Sequence, residues 1–439
     1  MIKAWLKKLI PNPILKIYHS LVARIAAGWY GLPSRKLLLI GVTGTKGKSS
    51  TVAIISQLLS GLGERVAFIS TVQWGLLEKR MVNRSKMTMP GRGKLQKFLK
   101  QALAEGCTAA VIEVSSEGLA QGRHLGLAFD GAVFLNVTPE HIEAHGGFRN
   151  YRQTKERLFA SLNRPWRKTI NGKKISTVIA VNADDAWAFN YLRHAADEHF
   201  AWTLTDNPIK EVMGLKILRV QEIQTTETEI SFKINQQPVS APLLGKFNVY
   251  NSVAALSILS GFGYDLQKMI SILKNIKPIP GRMEEVKLNT VFKVFVDYAH
   301  EPASLQAAYE AVKIFKPKRF LTLLGSQGGG RDMAKRKIMG ELAAQNADVV
   351  LVTNEDPYDE PPEKIVNEVA SAAESIGKAK VYVIVDRREA IKKMLSLVQP
   401  GDVLLLTGKG GEEVMAVANG KLIPWDDRLV LKEEYQKTR

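Results

Sequence analysis

A single cysteine, Cys107, is present among 439 residues. One thiol forms no internal disulfide, and it rules out a zinc site built on paired CxxC ligands. A buried small hydrophobe in a reducing cytosol is its expected role. Long apolar runs are missing too, none approaching the ~20 residues that cross a bilayer. The stretch MIKAWLKKLIPNPILKIYHS carries lysines but is broken by Pro11 and Pro13 and lacks a small-residue cleavage site, so it is not read as a signal peptide. A cytoplasmic protein is expected. Blocks of like charge, internal repeats and low-complexity tracts are absent as well.

Acidic residues are in deficit: 61 Lys and Arg stand against 43 Asp and Glu, a net charge of +18. Such a balance attracts anions in general, nucleotides and phosphorylated substrates among them. No nucleic-acid-binding motif accompanies it, so no nucleic-acid partner is expected, and most of the charge is read as lysines on solvated faces. With 45% hydrophobic and 24% charged residues, the chain reads as folded, and its length suits two or three domains.

Residues 1–35 form an N-terminal amphipathic helical segment. Ile14, Tyr18, Leu21, Val22, Ile25 and Trp29 recur at three- and four-residue steps. Such a face docks on the main body or lies on a membrane surface as a peripheral contact. Docking is the expected outcome, because such stripes are usually core contacts.

From Lys36 the texture changes. KLLLIGV (Lys36–Val42) reads as a buried strand entering a glycine loop, followed by a helix over Ser49–Leu62. Apolar β-rich runs recur at Arg65–Ser70, Ala109–Val114, Gly131–Val137 and Thr177–Val181, and Thr225–Pro238 alternates like an edge hairpin. Strands alternating with helices predict an α/β fold with a mostly parallel sheet. A second series, Lys293–Tyr298, Arg319–Gly325, Asp348–Thr353, Lys380–Val385 and Asp402–Thr407, predicts a Rossmann-like doubly wound domain. The boundaries expected are 36–280 for a P-loop-type ATPase domain and 281–439 for the C-terminal domain.

The strongest local signal is GVTGTKGKSS, Gly41–Ser50, between a strand and a helix. Gly44, Thr45, Lys46 and Gly47 form a loop whose amides can wrap phosphate oxygens. Lys48 would reach the β- and γ-phosphates, and the Ser49 hydroxyl would take a place on Mg²⁺. Val42 stands where the full P-loop pattern has its first glycine, which leaves the shorter GTxGK[ST] form. Further ligands are sought at the carboxyl ends of strands, where open α/β sheets bind. Glu113 ends AAVIEV, and Asn136 ends GAVFLNV before His141 and His145. Taken singly, these are ordinary capping or structural groups; together, after successive strands, they point to a site.

With these residues in hand, the chain resembles the Mur ligase family and, within it, the MurE (UDP-N-acetylmuramyl-tripeptide synthetase) type. The resemblance is carried, in order, by GTKGKSS, EVSSEGL with Gln121 and Arg123, NVTPEHIEAHG, Tyr151-Arg-Gln-Thr-Lys155, GKFNVYN, PGRME, VDYAHEPASL, GGGRDMAKR, TNEDPYDEP, GKGGEE and Asp426-Asp-Arg428. It implies an ATP-dependent ligase that activates a carboxylate as an acyl phosphate and adds an amino acid to a muramoyl-peptide-like acceptor. A monomer is expected, although nothing in the sequence fixes the oligomeric state. Lys48, Ser49 and Ser50 would hold phosphates and a first Mg²⁺ with Glu113; His141 would bind a second Mg²⁺. Lys155 would become a carbamate through CO₂ and serve as an oxygen ligand, since a plain ammonium repels a hard cation. Asn251, Arg282, Asp297 and His300 would grip the nucleotide. Thr88, Ser115, Gln121 and Arg123 would contact the acceptor; Arg331, Glu355, Asp356, Tyr358, Gly408 and Glu412 would contact the incoming amino acid. Because water destroys an acyl phosphate, the C-terminal domain is expected to close over the site.

Departures from the family pattern fall mostly on substrate positions. About forty residues precede the phosphate loop, too few for the usual N-terminal uridine-nucleotide-binding domain. Either the UDP part is bound differently or the acceptor carries none. The DNPR motif of diaminopimelate users reads Glu355-Asp-Pro-Tyr358, and tyrosine cannot make arginine's bidentate clasp on a carboxylate. Lysine or another amino acid is therefore expected. EVSSH reads EVSSE at Glu117, GKGHE reads GKGGE at Gly411, and Met89 replaces a second threonine. Two alternatives stay open: a folylpolyglutamate synthase- or cyanophycin synthetase-like ligase, and a non-catalytic nucleotide-binding scaffold at a membrane surface.

Overall fold

The computed structural model describes residues 12–83, 86–91, 93–139, 145–205, 214–330 and 333–437, with side chains from Tyr18 onward. His141 and Arg331 lie outside the described residues. The chain divides into two compact units, one running through Ile223 and including Ser231–Ala241 and Asn248–Ile276, the other holding Gln224–Ile230, Pro242–Phe247 and the chain from Lys277 onward.

The first unit is built on β1 (Leu38–Thr43), β2 (Val66–Ile69), β3 (Gln73–Leu76), β4 (Lys79–Val82), β5 (Ala109–Glu113) and β6 (Gly131–Phe134). After the small hairpin β7 (Thr169–Ile170) and β8 (Lys173–Lys174) come β9 (Val178–Asn182), β10 (Glu198–Thr203), β11 (Leu215–Thr225), β12 (Ile230–Ile234) and β13 (Gln237–Ala241). Apart from that hairpin these strands form one sheet, ordered β13-β12-β11-β10-β9-β6-β1-β5-β2-β3-β4. The seven from β11 to β2 pair in parallel. Strands β1, β5, β6 and β9 are buried along their whole length, as expected when helices cover both faces of a parallel sheet. The β3–β4 ribbon is antiparallel.

The helices of this unit are α1 (Asn12–Trp29), α2 (Lys48–Gly61), α3 (Lys94–Ala104), α4 (Ser116–Ala120), α5 (Phe148–Ala160), α6 (Ala188–Leu192), α7 (Phe247–Gly261) and α8 (Leu266–Leu273). The apolar stripe of α1 does not dock as expected. Of the stripe, Tyr18, Leu21, Ile25 and Trp29 are exposed and Val22 is half-buried, the side chain of Ile14 lying outside those described, whereas Ala27 on the opposite face is buried. Small alanines allow the close approach that the bulky stripe would prevent. Cys107 is buried, as its sequence suggests, and burial pushes its thiol pKa up.

In the second unit, β14 (Glu284–Glu285), β15 (Lys293–Val296), β16 (Phe320–Leu324), β17 (Val349–Val352), β18 (Lys380–Val383) and β19 (Val403–Leu406) form a sheet ordered β14-β15-β19-β16-β17-β18. All its pairs are parallel except β14–β15. A hairpin, β20 (Val414–Val417) with β21 (Lys421–Pro424), follows. The helices here are α9 (Pro302–Lys313), α10 (Ala334–Asn346), α11 (Pro362–Ser375), α12 (Arg387–Leu397) and α13 (Asp427–Lys437). They alternate with the strands in the doubly wound manner. No helix among the described residues is long and apolar enough to cross a membrane.

Candidate active site

Strand β1 runs straight into the glycine loop, and α2 begins at Lys48. Gly47, at the N-cap, has φ +81°, and a Cβ there would lie 2.4 Å from Asn251 Oδ1. Only glycine satisfies both conditions. The first turn of a helix has amides without intrahelical acceptors, so α2 presents donors to whatever the loop encloses.

The loop is braced from β6. Asn136 Oδ1 accepts from the amides of Thr45 and Lys46 at 3.1 and 2.9 Å, and its Nδ2 donates to Lys46 O at 3.2 Å. The Lys48 ammonium donates to Thr45 O at 2.8 Å, within the loop. Thr45 Oγ1 lies 3.1 Å from the Tyr151 hydroxyl. Lys155, buried on α5, donates to Gly44 O at 2.9 Å and rests 4.4 Å from the centre of the Tyr151 ring. Lys155 and the phosphate loop are thus adjacent, although 111 positions separate it from Gly44.

Strand β5 delivers Glu113 to the same place. Ser49 Oγ donates to Glu113 Oε2 at 2.7 Å, and the Thr71 amide donates to that oxygen at 2.7 Å. Thr71 Oγ1 donates to Oε1 at 2.9 Å and also lies 2.9 Å from Thr88 Oγ1. Ser49 and Glu113 offer a hydroxyl and a carboxylate, hard oxygens of the kind Mg²⁺ takes alongside nucleotide phosphates, so the donor set fits that ion. Among the described residues no cluster of three His, Cys, Asp or Glu side chains forms an all-protein metal cage. Mg²⁺ characteristically keeps waters and phosphates in its shell and needs no such cage.

Neighbouring candidates fall into local networks. Ser115 caps α4 through the Gly118 amide at 3.1 Å. His145 Nε2 lies 3.1 Å from Ser116 Oγ. Arg123 clasps Gln121 Oε1 with two nitrogens and donates to Met89 O at 2.6 Å. Met89 itself is buried in the core, where its sulfur packs against Gly118. Its substitution for threonine leaves only a backbone carbonyl facing Arg123. Asn251 accepts from Thr51 Oγ1 at 3.3 Å and donates to Asn248 at 3.0 Å, which fixes it against Gly47.

In the second unit the described candidates gather at the carboxyl ends of β15, β17 and β19. Asp297 accepts from the Met283 and Ala299 amides, both at 2.7 Å, and burial pushes its carboxyl pKa up against the pull of Arg282. Arg282 lies over the Tyr298 ring at 4.5 Å, and His300 Nδ1 donates to Tyr298 O at 2.8 Å. Asp356 is locked by Lys409 at 3.0 Å and by the Ala416 amide at 2.7 Å, while Lys409 also donates to Glu412 at 2.7 Å. Tyr358 adopts φ +53° and donates its amide to Ala416 O.

Glu355 is different. It is fully buried, yet among the described residues neither carboxylate oxygen has a hydrogen-bond partner. Burial, reinforced by Asp356, raises its pKa to about 7. Gly408, at φ +97°, makes the room: a Cβ there would lie 2.6 Å from Glu355 Oε2.

Two participants were not singled out in the sequence. Thr71 sits just past the end of β2, and the strand-end rule that found Glu113 would have found it. Lys409 reads as a solvated loop lysine inside GKGG, and nothing local reveals its burial between two carboxylates.

Residues 42–259 match the Mur ligase middle domain and residues 281–410 the Mur ligase, glutamate ligase domain. A UDP-N-acetylmuramyl-tripeptide synthetase from Roseiflexus sp. (strain RS-1) is 33% identical over 95% of this chain and 82% of that protein. A UDP-N-acetylmuramoyl-L-alanyl-D-glutamate--2,6-diaminopimelate ligase from Geobacillus kaustophilus (strain HTA426) is 32% identical over 96% of this chain and 84% of that protein. A solved structure of a ligase of that same name superposes with a TM-score of 0.60 at 29% identity, covering 92% of this chain and 79% of that one. Folylpolyglutamate synthase from Mycobacterium tuberculosis, at 16% identity and a TM-score of 0.65 over 88% of this chain and 92% of that one, shares the fold. Motif order, loop geometry and these likenesses agree: the chain belongs to the Mur ligase family.

Proposed function

We propose that this chain is an ATP-dependent, ADP-forming ligase of peptidoglycan precursor synthesis. It activates a carboxylate of a UDP-N-acetylmuramoyl-peptide-like acceptor and joins it to the amine of an amino acid. The observation that carries this reading is the 2.7 Å contact between Ser49 and Glu113 at the root of the braced phosphate loop. The relatives' names supply the substrate class.

The loop amides and Lys48 hold the triphosphate of ATP and absorb charge as the acceptor carboxylate attacks the γ-phosphorus and ADP leaves. Mg²⁺ held by Ser49 and Glu113 would neutralise phosphate charge. Lys48 has only to swing from Thr45 O to a phosphate oxygen. The amine then attacks the acyl carbon, gives up a proton, and phosphate departs. Lys155, buried beside Gly44, is assigned as the carbamate-forming lysine, and with His141 it would serve a second Mg²⁺. Thr88, held by Thr71 next to Glu113, and Arg123 are assigned to the acceptor. Arg282, Asp297 and His300 are assigned to the nucleotide.

For the amine, Tyr358 offers no clasp for a second carboxylate, while the Glu355 oxygens, unpartnered among the described residues, suit an ammonium. Lysine, or another amino acid with a cationic end, is the reading this supports over diaminopimelate.

Phosphate release by the purified chain with Mg-ATP and bicarbonate, across a matrix of acceptors and amino acids, tests the reading. Release requiring both a muramoyl peptide and an amine is expected, with lysine ahead of diaminopimelate. Glu113→Gln should lower it roughly a hundredfold. Dependence on a folate, or ATP binding without turnover on any pair, would overturn the assignment.

A further inference from the structure

Helix α1 carries two faces. At 3.6 residues per turn, Tyr18, Leu21, Ile25 and Trp29 fall within an arc of about 80°. Their exposures are 52%, 56%, 59% and 82%. The opposite face is seated on the first unit through three glycines. A Cβ on Gly126 would lie 2.6 Å from Ala27 Cβ, one on Gly93 3.2 Å from Ala26 Cβ, and one on Gly122 2.9 Å from Ser20 Oγ. The helix is held close by its small side chains, and Tyr18, Leu21, Ile25 and Trp29 point to solvent.

Charge is segregated over the same stretch. Residues 1–36 contain Lys3, Lys7, Lys8, Lys16, Arg24, Arg35 and Lys36 and no acid, and the first acidic residue in the chain is Glu64. Exposed apolar side chains including Trp and Tyr, on a helix set in a purely basic stretch, match what binds at the headgroup level of an anionic bilayer. A second copy of the chain would set two such acid-free basic stretches against each other.

We propose that the Tyr18–Leu21–Ile25–Trp29 face of α1 is a docking surface for an anionic lipid bilayer. The helix lies in the interface plane with this stripe among the acyl chains and its glycine-seated face still on the protein. The ligase is then a peripheral membrane protein that does not span the bilayer. This does not depend on which substrates the enzyme takes.

Flotation of the full chain with vesicles tests it, using phosphatidylcholine alone and phosphatidylcholine with about 30% phosphatidylglycerol. At low salt the bound fraction should be about tenfold higher on the anionic vesicles and should fall as salt rises. The triple variant Leu21→Glu, Ile25→Glu, Trp29→Glu should lose that binding by about tenfold or more, with ATP binding and circular dichroism unchanged because all three side chains are exposed. Equal binding by parent and variant, no binding by the parent, or a concentration-dependent dimer that the variant abolishes would each overturn the proposal.

Discussion

Asp130, in the first unit, and Glu355, in the second, are both fully buried carboxylates, and the protein treats them in opposite ways. Asp130 lies just before β6, at the amino end of its sheet, and receives the Leu39 amide at 2.9 Å, Lys168 Nζ at 2.5 Å and an Arg164 nitrogen at 2.5 Å. Lys168 completes its own needs on Leu37 O at 2.7 Å. Burial still moves both groups toward neutrality, raising Asp130 and drawing Lys168 down to about 8, while their mutual attraction opposes it. Glu355 sits past the carboxyl end of β17 with no donor among the described residues, and its pKa rises to about 7. A buried charge that is fully satisfied is structural. One left without donors costs stability, and it is retained where a ligand can supply what the fold withholds.

The contrast can be broken most forcefully at Lys168. Replacing it by methionine takes away one of the two cations that hold Asp130 and should cost ~3 kcal/mol, read as a shift in the urea midpoint; adding Asp130→Leu should recover part of the loss. A single variant as stable as the parent would mean that Asp130 does not depend on its partner.

Glu355 predicts a pH effect of definite sign. The fold raises its pKa from 4.5 to about 7, so between those values the folded state binds more protons than the unfolded one. Its stability contribution is greatest below pH 4.5 and is lost as the pH rises toward 7, by about 3 kcal/mol in all. Glu355→Gln should flatten that part of the profile and be more stable than the parent at pH 8. Identical profiles would show the carboxylate to be solvated. In turnover assays the same variant should raise KM for a cationic amino acid about tenfold, ~1.4 kcal/mol, with kcat less affected. At the small end, the exposed Lys313–Glu310 pair, at 2.7 Å, is a control. Lys313→Ala should change stability by no more than about 0.5 kcal/mol.

Strands β1, β2, β5, β6 and β9 of the first sheet and β15 to β19 of the second were legible in the sequence as apolar runs between loops. Strand β10 (Glu198–Thr203), which opens on charged and polar residues, and most of β11 (Leu215–Thr225), which is largely exposed, were not anticipated. The β3–β4 ribbon was not, since β4 (Lys79–Val82) is mostly exposed and carries no alternating apolar signal. Expected strands overran by one to three residues at several ends, as at Gly131–Val137 against Gly131–Phe134. The juxtaposition of Glu113, Ser49 and the loop followed from the strand-end rule. The burial of Glu355 did not, because it depends on the close approach of Gly325 and Gly408, remote in sequence, to its side chain. The orientation of α1 was misjudged because periodicity identifies a stripe without saying which side the body takes.

Gly281, in PGRME, and Gly410–Gly411, in GKGGE, press backbone to backbone: a Cβ on Gly281 would lie 1.7 Å from the Gly411 nitrogen. Two segments some 130 positions apart are thus the halves of a single joint. In a chimera, swapping in a relative's version of one segment would leave two mismatched surfaces abutting, so substrate-loop grafts into this chain should carry both segments together.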